Sequence, residues 1–190
     1  SGEDLELDLP VGGVYRVRAA VADIFGRPAV AWTELSVEDT FASITAFPAQ
    51  WSFRTDPRDV GLAQRWFATD LDESEWATAP VPAWWENTAT GAYDGVAWYR
   101  VRFTVPESAR GLEAVLEFAG VDEEAWVYLN GAPVGERTTG STGRSVDDFW
   151  DEPFSLELPS ESLHYGAENL LSVRVRDAAA YGGIFREVRL

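Results

Sequence analysis

The sequence predicts an all-β fold, a two-sheet β-sandwich of jelly-roll form, and three stretches carry that expectation. Gly95 to Pro106 (GVAWYRVRFTVP) alternates aromatic and β-branched residues with arginines, directly after a Tyr-Asp-Gly turn. Val121 to Gly135 (VDEEAWVYLNGAPVG) and Glu168 to Asp177 (ENLLSVRVRD) repeat the same pattern. Successive side chains on a strand point to opposite faces, so Val101, Phe103 and Val105 share one face while Arg100, Arg102 and Thr104 share the other. No helical period approaches ten residues and no internal repeat is present, which leaves sheet-on-sheet packing as the way to bury these faces.

The elements follow in order. VYRVRAAVAD and AVAWTELSVED both alternate, with DIFGRP between them, so Gly13 to Asp39 reads as a β-hairpin whose loop is longer than two residues. A lone hairpin is marginal in water, so this one either packs on the next domain or is the tail of an upstream sandwich. Residues 1–45 are accordingly assigned to a hairpin segment and 46–190 to the sandwich, with Thr40 to Pro48 as the joint. Trp51 to Arg54 is a short strand, followed by an Asp-Pro turn and one helical turn at Leu62 to Trp66. Asp72 caps a turn running to Trp76, and Pro80 and Pro82 then hold the chain extended. Gly111 to Ala119 is a strand, and Asn130-Gly131 closes a hairpin after Leu129. Gly135 to Asp148 lacks periodicity and reads as a polar loop, Phe154 to Leu158 as a strand, Ser160 to Tyr165 as a turn, and Leu170 to Arg176 as the last long strand. Gly182 and Gly183 then turn the chain into IFREVRL.

Composition narrows the chemistry. The formal net charge is −17 over 190 residues, and all 15 cations are arginine. Such a surface repels nucleic acid and anionic lipid, so neither is expected as a partner. No apolar run reaches the length of a membrane span and no signal peptide is visible. The absence of cysteine excludes disulfides, thiol chemistry and cysteine-based zinc sites. The acids are read as a solvated surface, or some of them as gathering into a calcium site or a polar sugar-binding groove; no cofactor is required, and a structural calcium would be held by loop carboxylates.

The motifs WSFRTDPRDVGLAQRWFATDLDESEW, VPAWWEN, YDGVAWYRVRFTVP, GVDEEAWVYLNGAPVG and GGIFREVRL, in this order and spacing, resemble the sugar-binding jelly roll of glycoside hydrolase family 2, which includes β-galactosidases, β-glucuronidases and β-mannosidases. The resemblance covers Trp51 to Leu190. It implies a galactose-binding-like jelly roll on the amino-terminal side of a catalytic barrel that holds the two catalytic glutamates and is not in this chain. The partners implied are carbohydrate and further domains of the same polypeptide, and polysaccharide-handling chains of this kind are often exported, to an extracellular or periplasmic setting.

Retaining glycoside hydrolysis needs two carboxyl groups about 5–5.5 Å apart, one held protonated. Glu123-Glu124 and Asp147-Asp148 are sequence neighbours whose side chains diverge on a strand, so no catalytic residue is assigned. His164 is the only histidine and reads as a surface turn residue. Sugar binding instead wants aromatic rings for C–H faces and polar groups for hydroxyls, placed on loops. Trp51, Trp66, Trp76 and Trp126 lie in apolar patterns and are expected in the core, and Trp98 in core or rim. Trp84 and Trp85 follow two prolines; one should pack and the other stay free. With Glu86, Asn87, Tyr93 and Asp94 they form the loop feeding the Gly95 strand, and Trp150, Asp177 and Tyr181 complete the substrate-binding candidates. The resemblance places Asn87 where an Asn of the family's β-galactosidases reaches towards the catalytic pocket, and Asp177 near the position of a second, acidic contact. The loop RDAAAYGG is shorter than the family pattern, a departure that bears on galactose specificity. Three functions remain open: a non-catalytic sugar-binding domain of a family 2-like hydrolase, an autonomous carbohydrate-binding module, or an architectural spacer.

Overall fold

In the computed structural model of the protein, the described residues are 43–190 together with the backbone of two strands, β1 (Gly13–Ala22) and β2 (Pro28–Val37). These pair antiparallel from Gly13 opposite Val37 to Ala22 opposite Pro28, as the alternation predicted. The turn around Gly26 and the start of the expected joint at Thr40 lie outside the described residues. The chain divides into two compact units, Ser1–Ala42 and Ser43–Leu190. Everything below concerns the second.

That unit is an antiparallel sandwich. Strands β3 (Gln50–Thr55), β4 (Ala77–Pro80), β5 (Gly95–Thr104), β7 (Glu124–Leu129), β8 (Ala132–Arg137) and β10 (Glu168–Asp177) form a six-stranded sheet in the order β4-β3-β5-β10-β7-β8. Strands β6 (Ala114–Phe118), β9 (Phe154–Leu158) and β11 (Val188–Arg189) form the second sheet, in the order β11-β6-β9. The two most regular stretches of the sequence, β5 and β10, pair along their whole length at the centre, with Tyr99 opposite Val173 and Val101 opposite Leu171. Their apolar face, extended by Trp51, Phe53 and Val127, packs on Leu116, Phe118, Leu158 and Val188 of the smaller sheet. Each of these side chains is buried, worth about 1.5–3 kcal/mol apiece by area. The Asn130-Gly131 turn has φ of 51° and 82°, the doubly positive geometry that matches a two-residue hairpin to strand twist. The Asn130 side chain also accepts from Leu170 N–H and donates to Asn169 Oδ1, both at 2.8 Å, tying that turn to the start of β10.

The opposite face of the large sheet is not left to solvent. The segment between β3 and β4 folds over it and brings Trp66 and Trp76 against Val96, Trp98 and Tyr128. Arg100, on this face as its register requires, is buried, because Nε meets Glu73 Oε2 at 3.2 Å and the terminal nitrogens donate to the carbonyls of Trp66 and Ala68. Asp56 of the Asp-Pro turn anchors the segment's start by accepting from Val60 N–H, Gly61 N–H and Trp98 Nε1. Asp72 accepts from Ser74 N–H at 2.9 Å, the expected cap.

Two expectations change here. Trp126 is only partly buried, since it lies on the outer side of the sheet under the Arg174 guanidinium, 4.0 Å from its ring centre, rather than in the main core. Gly135 to Asp148 is not loop throughout. Gly135 to Arg137 complete β8, where buried Arg137 donates to the carbonyls of Val121, Glu123 and Glu152, and Thr138 caps a one-turn helix, α1 (Thr139–Thr142). A polar composition hid this strand because its stabilising side chain is a charged one turned inward. Among the described residues no helix is long and apolar enough to cross a membrane.

Candidate functional site

The loop before β5 runs beside the Gly182–Ile184 segment. Ala83 N–H donates to Ile184 O and Trp85 N–H to Gly182 O, both at 2.9 Å. That extended pairing sends adjacent side chains to opposite sides, and it separates the two tryptophans. Trp85 has no exposure; its ring packs on Phe53 and Tyr93, and its Nε1 donates to Tyr93 O at 2.9 Å. Gly182 is required at the crossing, because a Cβ there would overlap the Trp85 ring and come within 2.8 Å of Asp177 Cβ. Trp84 goes outward and stacks on Phe185, with ring centres 3.9 Å apart and planes 6° from parallel. Tyr181 adjoins Trp84 at 5.8 Å and Trp150 adjoins Phe185 at 6.3 Å. Tyr181 is 54% exposed and Trp150 40% exposed, while Trp84 and Phe185 are half-buried, so four rings from three separate segments cluster at the surface.

The sequence candidates therefore divide. Trp84, Trp150 and Tyr181 come together. Trp85 is corrected: it is the packed member of the pair, and complete burial removes it from any ligand. Asn87 ends a short 3-10 turn (Trp85–Asn87) and is exposed, as is Asp94. Tyr93 is half-buried, its hydroxyl donates to Val96 O at 2.7 Å, and it lines a separate groove of about 430 Å³ with Arg54, Thr88 and Thr90. Phe185 was not singled out by sequence reading, although strict alternation through Gly-Gly-Ile-Phe-Arg, with Ile184 inward, would have turned it out. Arg186 lies 4.9 Å from its ring.

Asp177 is also buried, in surroundings the sequence did not disclose. Carboxylate oxygens of Asp122, Glu123 and Asp177 all lie within 4.8 Å of one another. Each accepts one backbone N–H at 3.0 Å, from Glu123, Ala178 and Ala179 respectively. Burial, reinforced by the neighbouring carboxylates of Asp122, Glu123 and Asp94, pushes Asp177 up to about 7. Burial, with Glu123 and Glu86 beside it, pushes Asp122 up to about 6, and burial also raises Glu123. Glu86 joins this end of the sandwich: its Oε2 accepts from Gly182 N–H at 3.0 Å, while Asp122 N–H donates to Gly183 O at 3.0 Å. Glu124, next to Glu123, points elsewhere, to Thr139 and Arg176, as strand alternation requires.

Fold and site together define a β-sandwich domain that presents an aromatic surface beside a buried acidic cluster. The family model of the beta-galactosidase second all-beta domain matches residues 63–179, and the chain belongs to that family. It is 34% identical over 113 residues, 52% of its length, to a beta-galactosidase of Thermoanaerobacter pseudethanolicus, and 27% identical over 157 residues, 74% of its length, to a beta-glucuronidase of Formosa agariphila. It spans 14% of the length of each of these relatives. Among solved structures, the beta-glucuronidase of Lactobacillus rhamnosus is similar with a TM-score of 0.59 and 25% identity, covering 73% of this chain and 21% of that one. The chain is thus an accessory β domain of the glycoside hydrolase family 2 type.

Proposed function

We propose that this domain is a galactose-binding-like jelly roll that recognises carbohydrate for a β-glycosidase, with bond cleavage carried out by another part of the same polypeptide. The stacked Trp84–Phe185 pair, flanked by exposed Tyr181 and Trp150, is the observation that supports this reading most. A sugar C–H face can lie on such a surface, and exposed Asn87 and Asp94 on the same loop supply hydrogen-bonding groups for hydroxyls. The acidic neighbours favour a neutral pyranoside over a uronate. Because the relatives are about seven times longer than the matched part, the same rings could instead dock a further domain, and titration distinguishes the two.

Calorimetric titration of the 190-residue chain with methyl β-galactoside, methyl β-glucuronide and oligosaccharides tests the proposal. Saturable binding is expected, weakened at least tenfold by Trp84→Ala. No heat with any glycan would overturn it and leave a docking surface.

A further inference from the structure

The carboxylate cluster at the end of β10 is built differently from an ordinary acidic surface. Asp177 is 1% exposed and Asp122 7% exposed, so both carboxylates are withdrawn from water. Among the described residues neither forms an ion pair within 4.0 Å, and Asp177 Oδ2 is buried without a hydrogen-bond partner. Glu86 Oε1, on the adjoining turn, is likewise buried and unpartnered. The terminal nitrogens of Arg137 donate to main-chain carbonyls, one of them Glu123 O at 3.0 Å, while its Nε is buried without a partner, and Arg176 pairs with Glu124 at 2.9 Å. A buried carboxylate oxygen lacking a donor carries a large desolvation cost, and Asp177 Oδ2 bears it while facing buried Asp122 and half-buried Glu123.

From this geometry we infer that Asp122, Glu123 and Asp177 form a calcium site that fastens the start of β7 to the end of β10. Ca²⁺ takes oxygen ligands at about 2.3–2.6 Å, so oxygens on one ion stand at most about 5 Å apart. The three oxygens lie within 4.8 Å of one another, inside that span. Mg²⁺, with ligands at about 2.0–2.1 Å, would need the three to contract. The ion supplies the positive partner that Asp177 Oδ2 lacks, and the backbone N–H groups of Glu123, Ala178 and Ala179, donating to Asp122, Glu123 and Asp177, already orient all three. Asp177 is therefore a metal ligand, and its effect on the aromatic surface is one of positioning, through the short Ala178–Ala180 link to Tyr181. The inference stands on the cluster alone and does not depend on carbohydrate binding.

The whole chain, stripped with chelator, is titrated with terbium alone and followed by tryptophan-sensitised emission, then back-titrated with calcium. The expected result is saturable emission that calcium displaces, with magnesium at least tenfold less effective. Thermal unfolding should shift upward by roughly 5–10 °C at a hundredfold excess of calcium over its Kd. Asp177→Asn should abolish both responses. Glu123→Gln, at a partly exposed position where folding is less at risk, should weaken both at least tenfold. Absence of any calcium-dependent shift in the wild-type chain, or full retention of it in a folded Asp177→Asn variant, would overturn the assignment.

Discussion

Asp56 and Asp177 are 2% and 1% exposed, and both stand at an end of a strand of the large sheet. Asp56 lies under the segment that covers the sheet's outer face, where its two oxygens accept from Val60 N–H at 2.8 Å, Gly61 N–H at 2.7 Å and Trp98 Nε1 at 3.2 Å. Asp177 accepts a single N–H, leaves Oδ2 bare, and faces two further carboxylates. The same contrast holds between their surroundings. Over the outer face, buried Arg100 meets Glu73 and two carbonyls, and Arg174 meets Asp59 at 2.9 Å, although Arg174 Nε and Trp76 Nε1 go without partners. At the Asp177 end, Asp122 and Asp177 form no ion pair with a described residue, Arg137 acts on Asp122 and Arg176 on Glu123, and Tyr181 and Trp150 are exposed. A buried charge with its donors in place is accounted for by the fold; one without them calls for a separate explanation, which the proposed calcium ion supplies.

Isosteric neutralisation turns this contrast into opposite signs. Asp56→Asn puts an amide donor among three donors and should cost about 2–4 kcal/mol, a fall in Tm of roughly 5–15 °C, measured by calorimetry at neutral pH. Asp177→Asn, in chelator at pH 8, removes a charge from an unpaired cluster and should raise Tm by roughly 2–4 °C. A loss of stability in both variants would erase the distinction.

The pH dependence sharpens it further. Asp122 and Asp177 have folded pKa values raised above 3.8, to about 6 and about 7, by burial and by Glu123, Glu86 and Asp94, with Arg137 opposing at Asp122. Groups of this kind contribute stability that is fully present below about pH 4 and lost as pH rises through about 6 and 7. In chelator, Tm should therefore decline between about pH 4 and about pH 7, and Asp177→Asn should flatten the upper part of that decline. Calcium should flatten it as well. A wild-type profile that rises over this range would contradict the account.

The frame was legible in the sequence because it rests on local signals. Alternation in β5 and β10, the Asn-Gly turn, and one strand at Phe154–Leu158 all appear where the pattern puts them. Part of the site was legible too, since Trp84, Tyr181 and Trp150 sit on loops bracketed by turn residues. What stayed hidden depends on contacts across long sequence separations. Trp84 and Trp85 are indistinguishable until the pairing with Gly182 fixes which one points inward. Asp122 and Asp177 approach only because β7 and β10 are neighbours, and β8 was masked because Arg137 folds inward to main-chain carbonyls. Periodicity reports the face a residue occupies, not what the opposite segment brings to it.

The central claim is that the Trp84 surface, and not the buried tryptophans beneath it, recognises carbohydrate. Indole N–H resonances of all nine tryptophans, followed during titration with a β-galactoside, report on both groups at once. The account predicts saturable shifts confined to Trp84 and Trp150, with Trp51, Trp85 and Trp98 unmoved. Shifts absent at Trp84, or centred on Trp66 and Trp76 across the sheet, would contradict it.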